Sequence, residues 1–72
     1  MKGIARTPGD LGEVVRTVRL SHGLSQDELA AQLGVTQRYL SELERGRPKI
    51  LDERYLGVLA RLGITVLYET RE

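Results

Sequence analysis

The chain has 72 residues, 40% hydrophobic and 29% charged, and its 11 Lys and Arg residues nearly balance 10 Asp and Glu residues. This composition is typical of one small soluble domain, and the near-neutral charge does not by itself indicate a nucleic-acid partner. The lack of cysteine excludes a disulfide scaffold and a thiolate zinc site. Because so short a chain buries only about 60% of its unfolded surface, we expect self-association to add stability.

The sequence also argues against an enzyme and against a membrane or secreted protein. His22 is the single histidine, and neither a phosphate-binding glycine loop nor a metal-ligand spacing accompanies it. We therefore expect no catalysis, no cofactor and no metal. No apolar run approaches the ~18 residues of a membrane-spanning helix, and Lys2 is not followed by the apolar stretch of a signal peptide. The prediction is a cytoplasmic, non-enzymatic protein.

Helix-start and helix-stop signals divide residues 7–63 into four predicted helices, preceded by an N-terminal arm over residues 1–6. Two helices begin with a capping box, in which Thr7 stands three residues before Asp10 and Ser25 three residues before Glu28. Each helix is closed by a glycine, which readily adopts the backbone conformation of a helix end. The predicted helices, with their caps and closing glycines, run over 7–23, 25–34, 36–46 and 52–63.

Apolar residues at helical spacing indicate which side of each helix faces the core. In the third helix, Leu40 and Leu43 point inward, whereas Arg38, Glu42 and Arg45 repeat on the opposite side. In the fourth helix we expect a buried stripe, which consists of Tyr55, Leu56, Leu59 and Leu62.

The segment Ile64–Glu69 changes to β-branched and aromatic residues with a period of two, which predicts a strand. Its backbone groups need a partner, which is either residues 2–6 or the same strand of a second copy; the alternative is a frayed tail. We favour pairing across a two-fold axis, which would bury Ile64, Val66 and Tyr68. The predicted architecture is mainly α, with four to five helices over 7–63 and a dimerising strand and short tail over 64–72.

Residues 25–46 predict two short helices joined by a glycine turn, the second exposing a polar face from its N-terminus. Their sequence, SQDELAAQLGVTQRYLSELERG, closely resembles the helix-turn-helix of the lambda-repressor-like (Xre) family. This resemblance implies the lambda-repressor-like fold and places residues 36–45 in the DNA major groove. The residues that carry it are Gln26, Leu29, Ala30, Gly34, Val35, Thr36, Leu40, Ser41, Glu44 and Gly46.

By position on the family motif, the resemblance implies that Gln37, Arg38 and Glu42 read bases, with Tyr39 and Ser41 flanking them. Arg38 is the strongest candidate, because its guanidinium can donate two hydrogen bonds to guanine. Gln37 suits adenine, and Glu42 can accept a hydrogen bond from cytosine. The alternative is that Arg38 and Glu42 only form a surface pair four residues apart.

Phosphate contacts are expected around this helix. The resemblance places Gln26 at the family's phosphate-contacting position, and Thr36 is similarly placed, although each also suits a simple helix cap. The basic loop Arg45, Arg47 and Lys49 would flank the groove and neutralise phosphates, whereas on charge alone a solvated loop is an equal alternative.

Glu44 lies on the inward side of its helix, where a charge needs a partner. In the family this acid commonly pairs with a basic residue of the first helix, and the matching position here is Arg19. The resemblance therefore implies a structural Arg19–Glu44 ion pair, and removal of either partner would mimic a loss of DNA binding by unfolding the domain.

The flanking sequences narrow the resemblance to HipB-type antitoxins. They are RTPGDLG at 6–12, ERGRP at 44–48, and LARLG at 59–63 followed by a strand. This resemblance implies a bacterial homodimer that represses its own operon at a pseudo-palindromic operator in double-stranded DNA. It also implies a partner, a HipA-like serine/threonine kinase toxin that the protein blocks. The alternatives are a stand-alone Xre-type regulator, as in phage or restriction systems, and a protein-interaction domain that has lost DNA binding.

Overall fold

The computed structural model describes residues 2–48 and 50–67 of the chain. Its architecture is helical, as the sequence predicts, and residues 2–6 precede the first helix as an exposed arm without regular structure. Among the described helices, none is long and apolar enough to cross a membrane. The helices are α1 (Pro8–Ser21), α2 (Gln26–Leu33), α3 (Gln37–Glu44) and α4 (Glu53–Arg61).

Each helix starts at a side-chain cap that the sequence predicts. The side-chain oxygens of Thr7, Ser25, Thr36 and Asp52 each accept a hydrogen bond, at 2.8–3.1 Å, from the backbone N–H three residues further on. In the box at α2, the backbone N–H of Ser25 donates to the Glu28 carboxylate and lowers the pKa of Glu28. These bonds satisfy helix N–H groups that have no partner within the helix, so the helix starts are encoded locally.

A tight connection of residues 34–36 joins α2 to α3. Gly34 closes α2 with a φ of +72°, a left-handed conformation that side chains rarely adopt. The backbone N–H of Val35 then donates to the carbonyl of Ala30 at 3.0 Å, which satisfies one free carbonyl of the helix end. This turn sets α3 against α2 as in a helix-turn-helix.

The core draws on all four helices. One expectation for α4 is wrong: Leu56 is 42% exposed, and Val58 is buried in its place. The reason is helical spacing, because Tyr55, Val58, Leu59 and the half-buried Leu62 follow the i, i+3, i+4, i+7 pattern and Leu56 falls outside it. The buried apolar residues are Val15, Leu29, Ala30, Leu40, Leu43, Tyr55, Val58 and Leu59.

The N-terminal half of α1 packs directly on the C-terminal end of α3. A Cβ atom at Gly12 would lie 2.6 Å from the Glu44 carbonyl oxygen and closer still to that of Leu43. A Cβ atom at Gly46 would lie 2.5 Å from backbone atoms of Gly9. Because only glycine permits this approach, the contact fixes the orientation of α3 relative to α1.

The segment 64–67 forms no strand within the described residues. Ile64 is half-buried against the core, and its N–H donates to the carbonyl of Leu59 at 2.9 Å. Val66 and Leu67 are 46% and 84% exposed, and no backbone hydrogen bond joins the segment to residues 2–6. Tyr68 and the rest of the predicted strand lie outside the described residues, so pairing with a second copy stays a prediction.

Candidate nucleic-acid interface

The helix α3 presents two chemically different sides. Leu40, Leu43 and Glu44 are buried. Three polar side chains predicted to read bases are exposed on the other side, and Ser41 is half-buried at its edge. The exposed three are Gln37, Arg38 and Glu42. An α-helix with such a polar side fits the width of the DNA major groove.

Arg38 and Glu42 contact each other on the exposed side. The Arg38 Nε atom lies 3.3 Å from the Glu42 Oε1 atom, and the two side chains are 87% and 49% exposed. An exposed pair of this spacing contributes only about 0.2–0.5 kcal/mol to the helix. Separating the two side chains therefore costs little free energy, and both are available to a nucleic acid that contacts the exposed side of α3.

A chain of side-chain hydrogen bonds connects the exposed face to the interior. The Gln37 Nε2 atom donates to Gln26 Oε1 at 2.6 Å, and Gln26 Nε2 donates to Glu44 Oε1 at 3.1 Å. Gln26 is half-buried and stands at the first position of α2. The predicted base-reading residue Gln37 is thus held by the predicted phosphate-contacting residue Gln26.

The chain of hydrogen bonds ends at a buried ion pair. The Arg19 Nε atom donates to Glu44 Oε2 at 2.7 Å, and Nη2 donates to Oε1 at 3.0 Å. Arg19 Nη1 also donates to the carbonyl of Leu24 at 2.9 Å. The hydrogen bond to Glu44 raises the pKa of Arg19 despite burial. The pair joins α1 to α3 and fixes the buried side of α3.

Tyr39 lies apart from Arg38, half-buried against the core. The guanidinium carbon of Arg54, on α4, lies 3.8 Å from the centroid of its ring. Burial raises the pKa of Tyr39, and the carboxylate of Asp52 adds to the effect. Sequence reasoning missed Arg54, because no local spacing links positions fifteen residues apart.

The predicted phosphate-contacting residues surround α3. Thr36 caps the helix, and Arg45 and Arg47 are exposed after its last turn. The backbone N–H of Arg47 donates to the carbonyl of Glu42 at 3.0 Å, which keeps the basic loop against α3. Lys49 lies outside the described residues.

An open cleft of about 470 Å³ lies between α1, α2 and α3, beside the exposed face. Gln26, Ser41 and Arg45 line it together with Arg16 of α1, a residue that sequence reasoning did not single out. Arg16 gave no signal in the sequence, since its place beside α3 depends on the packing of α1.

The fold and the exposed side of α3 define a helix-turn-helix DNA-binding domain. Residues 15–68 match the helix-turn-helix family model HTH_3. Because this match covers well over half of the sequence, the chain belongs to that family, and the resemblance to lambda-repressor-like proteins is confirmed.

Two relatives above 30% identity agree with this assignment. The uncharacterized HTH-type transcriptional regulator y4mF of Sinorhizobium fredii is 43% identical over 61 residues, which span 85% of this chain and 80% of the relative. The clp gene regulator ClgR from C. glutamicum is 36% identical, with a TM-score of 0.67 and coverage of 90% of this chain and 85% of that chain. The protein is thus a DNA-binding transcriptional regulator of the helix-turn-helix class.

Two further solved structures share the fold along the entire chain. A chain of a HipA-HipB-O2-O3 complex is 22% identical with a TM-score of 0.73, and a chain of a HipB-O4 20mer complex is 23% identical with a TM-score of 0.73. Each likeness covers 100% of both chains. At this level of identity, the likeness establishes a common fold.

Proposed function

We propose that the protein is a sequence-specific, homodimeric repressor that acts as the antitoxin of a HipBA-like toxin–antitoxin system. It binds a pseudo-palindromic operator, represses its own operon, and neutralises a HipA-like serine/threonine kinase. The observation that carries the proposal is the exposed polar side of α3, held from behind by a buried ion pair, in a fold shared with chains of HipB complexes.

Base reading is assigned to the exposed side of α3. Arg38 exchanges its bond to Glu42 for two hydrogen bonds to a guanine, and Glu42 is then released to accept from a cytosine. Gln37, held by Gln26, addresses an adenine in a fixed orientation. Ser41 and Tyr39 flank these contacts.

Phosphate binding is assigned to residues around α3 whose side chains keep a free donor. The Thr36 hydroxyl oxygen accepts the capping hydrogen bond, so its own proton remains available to a phosphate. The Gln26 amide uses one N–H for Glu44 and keeps the second. Arg45, Arg47 and Lys49 add positive charge that positions the helix on DNA without reading sequence.

Dimerisation is assigned to residues 64–72. Val66 and Leu67 expose apolar surface, and residues 65–67 leave backbone groups without partners within the described chain. Pairing of this segment across a two-fold axis would cover Ile64, Val66 and Tyr68 and supply the missing hydrogen bonds. Such a dimer predicts half-sites about 34 Å apart, one helical turn of DNA, or a multiple of that distance.

A second candidate is a stand-alone Xre-family regulator without a toxin partner. It is favoured by the relatives above 30% identity, which are described as an HTH-type transcriptional regulator and as a clp gene regulator. Both candidates share the DNA-binding mechanism and differ in the protein partner.

The experiment that separates them starts from the tagged protein purified at native level from its own host, with co-purifying proteins identified by mass spectrometry. The antitoxin role is supported if a kinase co-purifies, its gene lies beside the gene of this protein, and adding this protein inhibits the autophosphorylation of the kinase with ATP. If DNA and the protein itself are recovered reproducibly without such a kinase, the antitoxin role is contradicted and the stand-alone regulator is favoured.

Dimerisation is tested with Val66→Glu, which places a charge in the proposed strand pair. We expect monomers by analytical ultracentrifugation and a much weaker affinity for the operator, with an unchanged helical circular dichroism spectrum. Thr65→Glu, at a neighbouring exposed position on the other side of the strand, is the matched control. A Val66→Glu protein that remains dimeric would refute the paired strand.

A further inference from the structure

The cleft between α1, α2 and α3 adjoins the exposed side of α3. Ser41, which lines the cleft, is four residues after Gln37 and three after Arg38, so it lies one turn along the same helix. Gln26 lines the cleft and also bonds to Gln37 at 2.6 Å. A DNA duplex whose bases contact Gln37 and Arg38 would therefore lie beside the cleft.

The polar groups that line the cleft are mostly hydrogen-bond donors. Arg16 and Arg45 contribute guanidinium groups, Ser41 a hydroxyl, and Gln26 an amide with one N–H still available. Guanidinium and phosphate form paired, charge-assisted hydrogen bonds that are stronger than neutral ones. This donor set matches the oxygens of a phosphodiester.

The two carboxylates of the cleft differ in their availability. Both oxygens of Glu44 are engaged, Oε2 by Arg19 and Oε1 by Arg19 and Gln26. Glu13 instead contacts Arg16 at 3.6 Å, with side chains that are 63% and 52% exposed. Arg45 takes part in none of the ion pairs among the described residues.

We propose that Arg16 and Arg45 together hold a backbone phosphate of bound DNA in this cleft, and that Glu13 competes with that phosphate for Arg16. The inference rests on the DNA binding through α3 proposed above. Binding exchanges the exposed Glu13 contact for a phosphate contact, and an exposed ion pair of this kind is weak enough for the exchange to proceed.

The test compares Arg16→Ala and Glu13→Gln with the wild-type protein on a DNA duplex selected in vitro against the wild type, and on a scrambled duplex. Dissociation constants are measured by fluorescence anisotropy at several salt concentrations. For Arg16→Ala we expect weaker binding to both duplexes, and a log K against log salt slope that is reduced by about 0.9 per subunit. For Glu13→Gln we expect binding about two- to fivefold tighter at low salt, the size of an exposed ion pair.

Arg61→Ala is the matched control, because it also removes one arginine charge but at a site far from the cleft. Arg61 belongs to α4 and lies beside the C-terminal end of α2, whereas Gln26 is at the N-terminal end of α2. Arg61 Nη2 donates to the carbonyl of Gln32 at 2.6 Å, near the end of α2. The control should keep the wild-type salt slope, and thermal melting of each variant separates binding effects from unfolding.

The outcomes distinguish this inference from the function on which it rests. If the wild type does not prefer the selected duplex, the proposed DNA reading fails. If the wild type prefers it and Arg16→Ala keeps the wild-type slope, or Glu13→Gln binds no tighter, the phosphate site in the cleft is overturned. If folded Arg16→Ala loses only discrimination between the duplexes, Arg16 reads bases and the proposal is also overturned.

Discussion

An arginine–glutamate pair lies on each side of α3, and the two pairs have opposite surroundings. On the inner side, Arg19 and Glu44 are joined by hydrogen bonds of 2.7 and 3.0 Å, with side chains only 9% and 3% exposed. On the outer side, Arg38 and Glu42 are joined at 3.3 Å and remain 87% and 49% exposed. Burial, rather than residue type, decides that the inner pair positions the helix and that the outer pair is free to exchange partners.

The largest expected effect comes from breaking the inner pair. Arg19→Ala leaves the Glu44 carboxylate buried without its cation, so we expect the free energy of unfolding to fall by about 3–5 kcal/mol. Thermal or urea denaturation followed by circular dichroism measures the change, and DNA binding should be lost together with the fold.

The control for this prediction is the double variant Arg19→Met with Glu44→Leu, which removes both charges and keeps similar volumes. We expect it to recover much of the lost stability, because a hydrophobic pair avoids the cost of desolvating two charges. An Arg19→Ala protein as stable as the wild type would show that the inner pair does not hold α3.

A second change tests the packing behind α3 without removing a charge. Gly12→Ala places a methyl group against the carbonyls of Leu43 and Glu44, so we expect a loss of about 1–3 kcal/mol in the free energy of unfolding. Gly57→Ala in α4 is the matched control, since its Cβ meets open space. That control should stabilise the protein by about 0.5–1 kcal/mol. Equal melting curves for the two variants would contradict the close approach of α1 and α3.

On the outer side, Arg38→Ala should separate stability from recognition. We expect the free energy of unfolding to change by no more than about 0.5 kcal/mol, since the lost contact is exposed. Discrimination at the base pair that Arg38 reads should fall by about 1–3 kcal/mol. Anisotropy titrations with single-base variants of the selected duplex measure this loss, and a parallel drop in melting temperature would argue against base reading.

The smallest effect is expected at Tyr39, which lies between the two sides. Arg54→Ala removes the cation above its ring and should cost about 0.5–1 kcal/mol in the free energy of unfolding. Since Arg54 lies on α4, outside the exposed side of α3 that is proposed to read bases, discrimination between DNA sequences should stay at the wild-type level. A change in the preferred base pair would instead assign Arg54 to the DNA interface.

What the sequence predicts well is local. The four helix starts follow from capping side chains, each of which bonds to the backbone N–H three residues further on. The buried side of α3 follows from Leu40 and Leu43 at helical spacing. The inner ion pair is predicted only through the family resemblance, which matches Arg19 to the basic partner of Glu44. Nothing in local spacing joins two residues that are 25 positions apart.

What the sequence predicts poorly depends on packing between elements. The apolar pattern predicts that Leu56 is buried, yet the register of α4 is set by Tyr55, Val58 and Leu59. The places of Arg16 and Arg54 beside α3 follow from the packing of α1 and α4, which no short pattern encodes. The predicted strand has no partner among the described residues, and its pairing with a second copy stays a prediction.

The local helix caps have a consequence for how quickly the protein becomes active. A helical domain whose elements are specified by neighbouring residues folds in microseconds to milliseconds, far faster than the ribosome adds residues, at about 5–20 per second. Each new chain is therefore folded on release, and in the proposed homodimer the step that follows is the encounter with a second copy, whose rate depends on concentration. For the proposed self-repressing dimer, we expect that encounter, rather than folding, to set the delay at low expression before the operon responds.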